Sequence, residues 1–469
     1  MKDEYDVIVI GAGPGGEVVA GLCAGAGLET VVLELELAGG ECSFWGCIPS
    51  KGLLRPGDAL AAARRVPGAA EALEGGVDGG AALAWRNEIT NNWDDRYQVQ
   101  WIEDQGAELV RGTARLAGPR LVELSGAGDR PHRLEARRAV VIATGSDPAV
   151  PPIDGLRDIR IWDNRDATAA QQAPRRLLVL GGGAIGVEMA QAWHSLGTGE
   201  VTVIEALDRL LPTEEPFAGE QLEAAFERLG IRVVTGARMT AATREGAEGL
   251  VRATLEDGRT MIADEILVAV GRRPRTRDIG VETVGLEPGR PIEVDGYMRA
   301  GAVDGSWLYA IGDVNGRALF THMAKYHARV AAAHIAGDGA AAPAEEQAIP
   351  RIVFTDPQVA AVGATEEQAK RRGIRVARAR CELTDVAGAT VTGKGIEGTV
   401  QLVVDEAREV LVGATFTGPG VGDMLHAATV AVVGEVPLAR LHHAVPSFPS
   451  LSEVWLKALE NYVAQKEAS

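Results

Sequence analysis

Residues 6–36 read DVIVIGAGPGGEVVAGLCAGAGLETVVLELE, and residues 177–206 read LLVLGGGAIGVEMAQAWHSLGTGEVTVIEA. Both follow one plan. A β-branched apolar run leads into a glycine-rich turn, then an alanine-rich helical stretch, then a second apolar run ending in glutamate: Glu34 in the first copy and Glu205 in the second. A strand–helix–strand unit used twice predicts an α/β chain with two parallel-sheet nucleotide domains. Gly11, Gly13 and Gly16, and again Gly181, Gly183 and Gly186, form G-x-G-x-x-G at the point where strand gives way to helix. The first glycine makes the tight turn, the second lets a pyrophosphate approach the backbone, and the third lets helix and strand pack closely. The helix N-terminus then offers free N–H groups and a partial positive charge to the phosphates. One such motif is a weak signal. Two, each in the required context and each followed at the right distance by a carboxylate, predict two bound dinucleotides. A carboxylate there accepts from a ribose 2′-hydroxyl and repels a 2′-phosphate, so Glu205 favours NADH over NADPH at the second site. Arg209 lies close enough to soften that preference, unless it is simply a solvated arginine.

The bulk properties set limits. A chain of 469 residues is too long for one core. Its 46% hydrophobic and 24% charged residues are ordinary for a soluble globular protein. A net charge of −18 repels nucleic acid and anionic membranes, so neither is an expected partner. No apolar run approaches the ~20 residues of a membrane-spanning helix. The N-terminus, MKDEYDVIVIGAG, runs directly into a strand without the features of a secretion signal, which predicts a cytoplasmic protein. Between the two repeats, Trp85, Trp93 and Trp101 stand at helical spacings and are expected to pack helices. The Gly/Ala/Pro-rich stretch 336–348 reads as a linker, followed by a separate C-terminal domain of strands and later helices.

Four cysteines occur: Cys23, Cys42, Cys47 and Cys381. In a reducing compartment, a close pair points to metal or redox chemistry rather than to a structural crosslink. The pair lies in GGECSFWGCIPSK, residues 39–51. Five helical steps climb about 7.5 Å, whereas disulfide Cα separations are usually about 4.4–6.8 Å. If Cys42 and Cys47 bond, the segment between them must bend, and Gly46 permits this. Ile48-Pro49-Ser50 then suits a helix start, which favours a thiolate at Cys47. Zinc would need about four soft ligands, but the first histidine is His132 and no second cysteine pair exists, so no metal site is expected. Two inert buried cysteines are the remaining reading of the spacing.

With these motifs the chain resembles the pyridine nucleotide–disulfide oxidoreductases, particularly the dihydrolipoamide dehydrogenase type, over nearly its whole length. The landmarks are GAGPGG, GGECSFWGCIPSK, IATGSDP (142–148), GGGAIGVEMA (181–190), VGRRP (270–274), YAIGDVNG (309–316) and FTDPQVAAVG (354–363). The resemblance implies two Rossmann-like dinucleotide-binding domains plus a C-terminal α+β dimerisation domain. FAD would occupy 1–148 with 272–345, NAD would occupy 149–271, and 349–469 would form the interface of a homodimer. It implies that Glu34 holds the FAD adenosine ribose and that Asp313 binds the ribityl or pyrophosphate region. Thr144, Gly145 and Gly271 join the cofactor-binding set. Lys51 would sit beside the flavin N5 and pair with Glu188. Hydride would pass from NADH to FAD and the electrons on to Cys42–Cys47, with Cys47 as the thiolate nearer the flavin and Cys42 as the exchange thiol.

One departure stands out. The family's C-terminal H-P-x-x-x-E motif, whose histidine serves as base, corresponds here to Phe448-Pro449-Ser450-Leu451-Ser452-Glu453. A phenyl ring cannot shuttle a proton. Glu453 keeps its place as a catalytic candidate, and His442 and His443 lie five and six residues before Phe448. Mercuric reductases also lack this histidine but carry extra C-terminal cysteines, of which none follows Cys381. The first expectation is therefore an FAD-dependent NADH:disulfide oxidoreductase acting on a small-molecule disulfide. A second is an NAD(P)H-dependent quinone or metal reductase, a diaphorase with auxiliary cysteines. A third is a non-enzymatic flavin-bound redox sensor or complex component.

Overall fold

The structure is a computed structural model that describes residues 1–126, 131–246, 249–341 and 348–468. The expected linker overlaps residues 342–347, which lie outside the described residues. The chain divides into two compact units: 1–49 with 87–149 and 271–345, and 50–86 with 150–270 and 346–469.

In the first unit, the strand Glu4–Ile10 pairs in parallel with Thr30–Glu34 on one side and with the end of His132–Ile142 on the other. Glu108–Arg111 and Leu308–Ala310 extend the parallel sheet at its two edges. The leading half of His132–Ile142 also pairs antiparallel with Leu121–Ser125, which pairs in turn with Thr113–Gly118. The central strands are continuous Val/Ile runs because both faces are buried, one by helices and the other by the antiparallel strands Thr113–Gly118 and Leu121–Ser125 with residues of 279–307. Val7 and Val9 pack into one core and Ile8 and Ile10 into another, on opposite sides of one strand. The helices Pro14–Gly25 and Thr321–Ala336 pack together on the first of these faces, where Gly15 lies against the backbone and Cβ of Ala324.

In the second unit, four parallel strands run in the order Arg232–Val234, Glu200–Ile204, Arg176–Leu180, Glu265–Val268. A three-stranded antiparallel sheet, Met239–Arg244, Val251–Leu255 and Thr260–Ala263, packs with them around Ile204, Leu180 and Ile266. The C-terminal segment of this unit forms a five-stranded antiparallel sheet centred on Val410–Gly418, covered by the helices Leu425–Val433 and Glu453–Glu467. Both predicted strand–helix–strand units are present, and the α+β character of the C-terminal segment agrees with the expectation.

The tryptophan expectation holds only in part. Trp85 and Trp101 lie on the helices Gly79–Ile89 and Arg96–Asp104 but are 39% and 42% exposed. Trp93 is not on an α-helix. It ends a short 3-10 turn with φ 59° and donates its indole N–H to the carbonyl of Phe44 at 3.0 Å. A tightly turned Asn91-Asn92-Trp93 interrupts the helical spacing. No helix among the described residues is long and apolar enough to cross a membrane.

Candidate active site

The two glycine turns are built alike. A Cβ on Gly16 would overlap the carbonyl oxygen of Gly11, and one on Gly186 would overlap that of Gly181. The first glycine of each turn has a strongly positive φ, 101° at Gly11 and 113° at Gly181. A Cβ on Gly13 or Gly183 would meet nothing within 4 Å, which leaves open space over the start of each helix. The acids match as well. Glu34 accepts from the backbone N–H of Ala12 at 2.6 Å and of Glu36 at 2.7 Å. Glu205 accepts from Gly182 at 2.7 Å and Leu207 at 2.8 Å. Each carboxylate is thus fixed at the lip of its turn, with lone pairs left for ribose hydroxyls. The residues present fit a dinucleotide at each turn.

In the first unit, the cysteine segment is bolted onto the first turn. Gly39 donates its N–H to the carbonyl of Ala12 at 2.7 Å, and a Cβ on Gly40 would come 2.9 Å from the Cα of Gly13. The short helix Gly40–Phe44 then breaks at Trp45, and a new helix, Cys47–Arg64, begins at the second cysteine. This is a bend of the kind expected if the two cysteines bond. Gly46 permits it through close approach rather than through a left-handed φ: a Cβ there would lie 2.9 Å from the carbonyl oxygen of Glu41.

The thiols of Cys42 and Cys47 are hydrogen-bonded to each other. Thr321, the first residue of its helix, contacts both, with Oγ1 3.2 Å from the Cys47 sulfur. The hydrogen bond to Cys47, followed by burial, holds the Cys42 thiol well above its ordinary value, opposed first by the Thr321 hydrogen bond and then by the positive charge of Lys325. Cys23 and Cys381 are buried, and burial pushes each thiol up to about 12, so they are inert. Among the described residues no group of His, Cys, Asp or Glu side chains converges as a metal site.

Asp313 accepts from Ser146 Oγ at 2.6 Å, and burial raises its carboxyl above the usual range. Arg272 donates to the same Ser146 Oγ at 2.7 Å and lies 3.8 Å from both Asp313 and Glu41. Thr144 donates to the carbonyl of Arg275 at 2.7 Å, next to Gly145, whose φ is 72°. Gly271, with φ 134°, leads into Arg272–Pro274, which pairs antiparallel with Ser146–Pro148. Sequence reasoning missed Thr321, Ser146, Arg272 and Glu41. Three of them sit inside quoted landmarks or beside Cys42, and position alone could have flagged them. Thr321 carried no such signal.

In the second unit, Lys51 and Glu188 do form a pair, with Nζ 2.7 Å from Oε2. The other oxygen of Glu188 accepts from the backbone N–H of Phe354 at 2.9 Å, and the Lys51 ammonium lies 4.9 Å from the Phe354 ring centre. Glu453, in the first turn of the last helix, accepts from the backbone N–H groups of Gly388 and Ser450, each at 3.1 Å. It caps backbone there. His442 and His443 follow the short helix Leu438–Leu441, and Phe448 is 77% exposed.

Over residues 5–338 the chain matches the pyridine nucleotide-disulphide oxidoreductase family, and over 349–459 that family's dimerisation domain. The chain belongs to this family. It is 36% identical to dihydrolipoyl dehydrogenase 3 of Pseudomonas aeruginosa over 92% of both chains. It is 32% identical to dihydrolipoyl dehydrogenase of Thermus scotoductus over 97% of both. The solved structure of the flavoprotein disulfide reductase RclA from Escherichia coli superposes with a TM-score of 0.85 at 23% identity, covering 98% of this chain and 99% of that one, which bears on the fold. The protein is accordingly an FAD-dependent oxidoreductase that takes electrons from NAD(H) and acts on a sulfur group, with a C-terminal domain of the dimerising kind.

Proposed function

We propose that this enzyme reduces a small-molecule disulfide at the expense of NADH, with Cys42 as the exchange thiol and Cys47 as the thiolate facing the flavin. The dithiol locked onto the first glycine turn, with Thr321 against both sulfurs, carries this reading. FAD and NADH, when bound, supply the hydride chemistry, and the protein positions and tunes them. In this reading Gly11, Gly13, Gly16, Glu34, Thr144, Gly145, Gly271 and Asp313 hold FAD, within a domain made of 1–148 and 272–345. Gly181, Gly183, Gly186 and Glu205 hold NAD within 149–271. Glu205 turns away a 2′-phosphate, which favours NADH over NADPH. Lys51, paired with Glu188, would sit beside the flavin N5. Segment 349–469 joins two copies in a cytoplasmic homodimer.

Phe448 favours a second reading. Without a base at that position, acceptors that take electrons without a proton relay at sulfur, such as quinones or metal ions, gain on disulfides. Cys42→Ser separates the two. Under the first reading it abolishes turnover of lipoamide and low-molecular-weight disulfides. If the variant keeps full turnover on disulfides, the assignment of Cys42 is wrong. If wild type reduces only quinones, and the variant does so equally well, the second reading replaces the first.

A further inference from the structure

Attack on an acceptor needs Cys42 as its anion, because the thiolate is the nucleophile. Yet a hydrogen-bonded neighbour and burial both disfavour that anion, and the residue aligned with the family's base is a phenylalanine. A positive charge has to come from elsewhere. The groups facing the dithiol within its unit can be taken in turn. Glu41, on the cysteine's own helix, carries a carboxyl group that lies within reach of Arg272, which stands equally near Asp313. That guanidinium also donates to Ser146, so its charge is spread over two carboxylates. His322 stacks on the ring of Phe320 at 5.3 Å. Lys325 is the cation whose charge acts on the Cys42 thiol. It lies four residues after Thr321 on the helix Thr321–Ala336, so the two share a face, about 6 Å apart along the axis. Thr321 touches both sulfurs, which puts Lys325 one turn beyond the dithiol. Lys325 is exposed, but that separation lies inside the Debye length of about 8 Å, so salt screens its charge only in part.

We infer that Lys325 is the positioning residue that shifts Cys42 toward its thiolate, supplying by its field part of what a histidine base would do by proton transfer; this rests on Cys42 being the exchange thiol. Glu17, on the facing helix Pro14–Gly25, is the opposing charge. Its Oε1 is buried without a hydrogen-bond partner, and Lys325 is the cation acting on its carboxyl. When Glu17 ionises it draws on the same ammonium, so the two acids, Cys42 and Glu17, compete for one cation.

The test is alkylation of the NADH-reduced, FAD-loaded enzyme by iodoacetamide under anaerobic conditions, with the modified cysteine mapped by mass spectrometry. The thiolate displaces iodide, so the rate reports the ionised fraction of the attacking sulfur. In Lys325→Met the rate constant at Cys42 should fall about tenfold at pH 7, and the rate–pH profile should move up by about one unit. Lys325→Arg should restore it to within about twofold, which loss of packing alone would not do. Glu17→Gln should raise the rate by about two- to threefold at pH 8 and guards against a Lys325 variant that fails to hold flavin. If Cys42 is the labelled residue and its profile is the same in Lys325→Met as in wild type, the inference falls. If wild type is labelled at Cys47 and not at Cys42, the exchange-thiol assignment falls with it.

Discussion

Replacing Lys51 by methionine removes a charge from a site where its partner cannot turn to water. The Glu188 side chain is 4% exposed, and both of its oxygens are engaged, one by Lys51 at 2.7 Å and one by the Phe354 N–H at 2.9 Å. Breaking a fully buried pair by removing one partner costs about 3–5 kcal/mol, whereas an exposed pair contributes about 0–1 kcal/mol. Lys51 is 37% exposed, so the case lies between these, and the surviving Phe354 hydrogen bond still serves half of the carboxylate. A loss of about 2 kcal/mol follows, or about 4 °C in the midpoint of a cooperative unit of a few hundred residues. Glu188→Gln alone should cost less, about 1 kcal/mol, since the freed ammonium can turn to solvent. In the double variant no unpaired charge remains in the interior, so the two losses should overlap by about 1 kcal/mol or more. The assay is thermal unfolding by far-UV circular dichroism, with protein and FAD concentrations held fixed because bound FAD shifts the midpoint. A Lys51→Met loss below about 0.5 kcal/mol, or strict additivity in the double variant, would refute the picture of an internal carboxylate dependent on this lysine.

The glycine turns give a contrasting pair: Gly186→Ala should unfold or severely destabilise the second turn, because its Cβ collides with the Gly181 carbonyl, while Gly183→Ala should leave the melting curve alone and weaken NADH binding by about tenfold in a fluorescence titration. Burial pushes the Glu17 carboxyl from near 4.5 up to about 7, so its contribution to stability is complete below about pH 4.5 and is lost as pH rises through 7. Melting curves should show a decline of about 3 kcal/mol or less over that window that is absent in Glu17→Gln, and identical pH profiles would sink the assignment. Glu453→Ala strips the acceptor from two backbone N–H groups and should cost about 1–2 kcal/mol, measured by the same melts. Phe448→His should raise lipoamide turnover severalfold in a steady-state assay if the missing base limits disulfide chemistry, and no gain would place the limit elsewhere.

What could be read from the chain depended on whether a feature was contiguous. Each dinucleotide turn is one unbroken stretch in which strand, turn, helix and acid follow in order, so both were legible, down to Glu34 and Glu205. The bend between Cys42 and Cys47 was legible because helical rise and disulfide span disagree over five residues. The Lys51–Glu188 pair spans 137 residues and came only with the family resemblance. Thr321 is 274 residues from Cys47, and nothing in its neighbourhood marks it. The tryptophans misled in part because helical spacing says nothing about which face is covered. Trp93 kept the spacing and left the helix.

The nucleotide preference proposed above gains from how rigidly its acid is held. A glutamate on a mobile loop could swing aside for a 2′-phosphate. Glu205 cannot do so without breaking two backbone hydrogen bonds in its own turn, to Gly182 and Leu207, at a point where the fold has buried it to 9% exposure. Arg209 is the residue that could reverse the preference by supplying a positive partner for that phosphate. Its guanidinium instead donates to the carbonyl of Pro212 at 3.0 Å, and its Nε is buried with no partner. To reach a phosphate it would have to give up that hydrogen bond. A fixed anion at the lip and a cation turned inward both discourage the extra phosphate, and neither depends on a flexible element choosing between two poses.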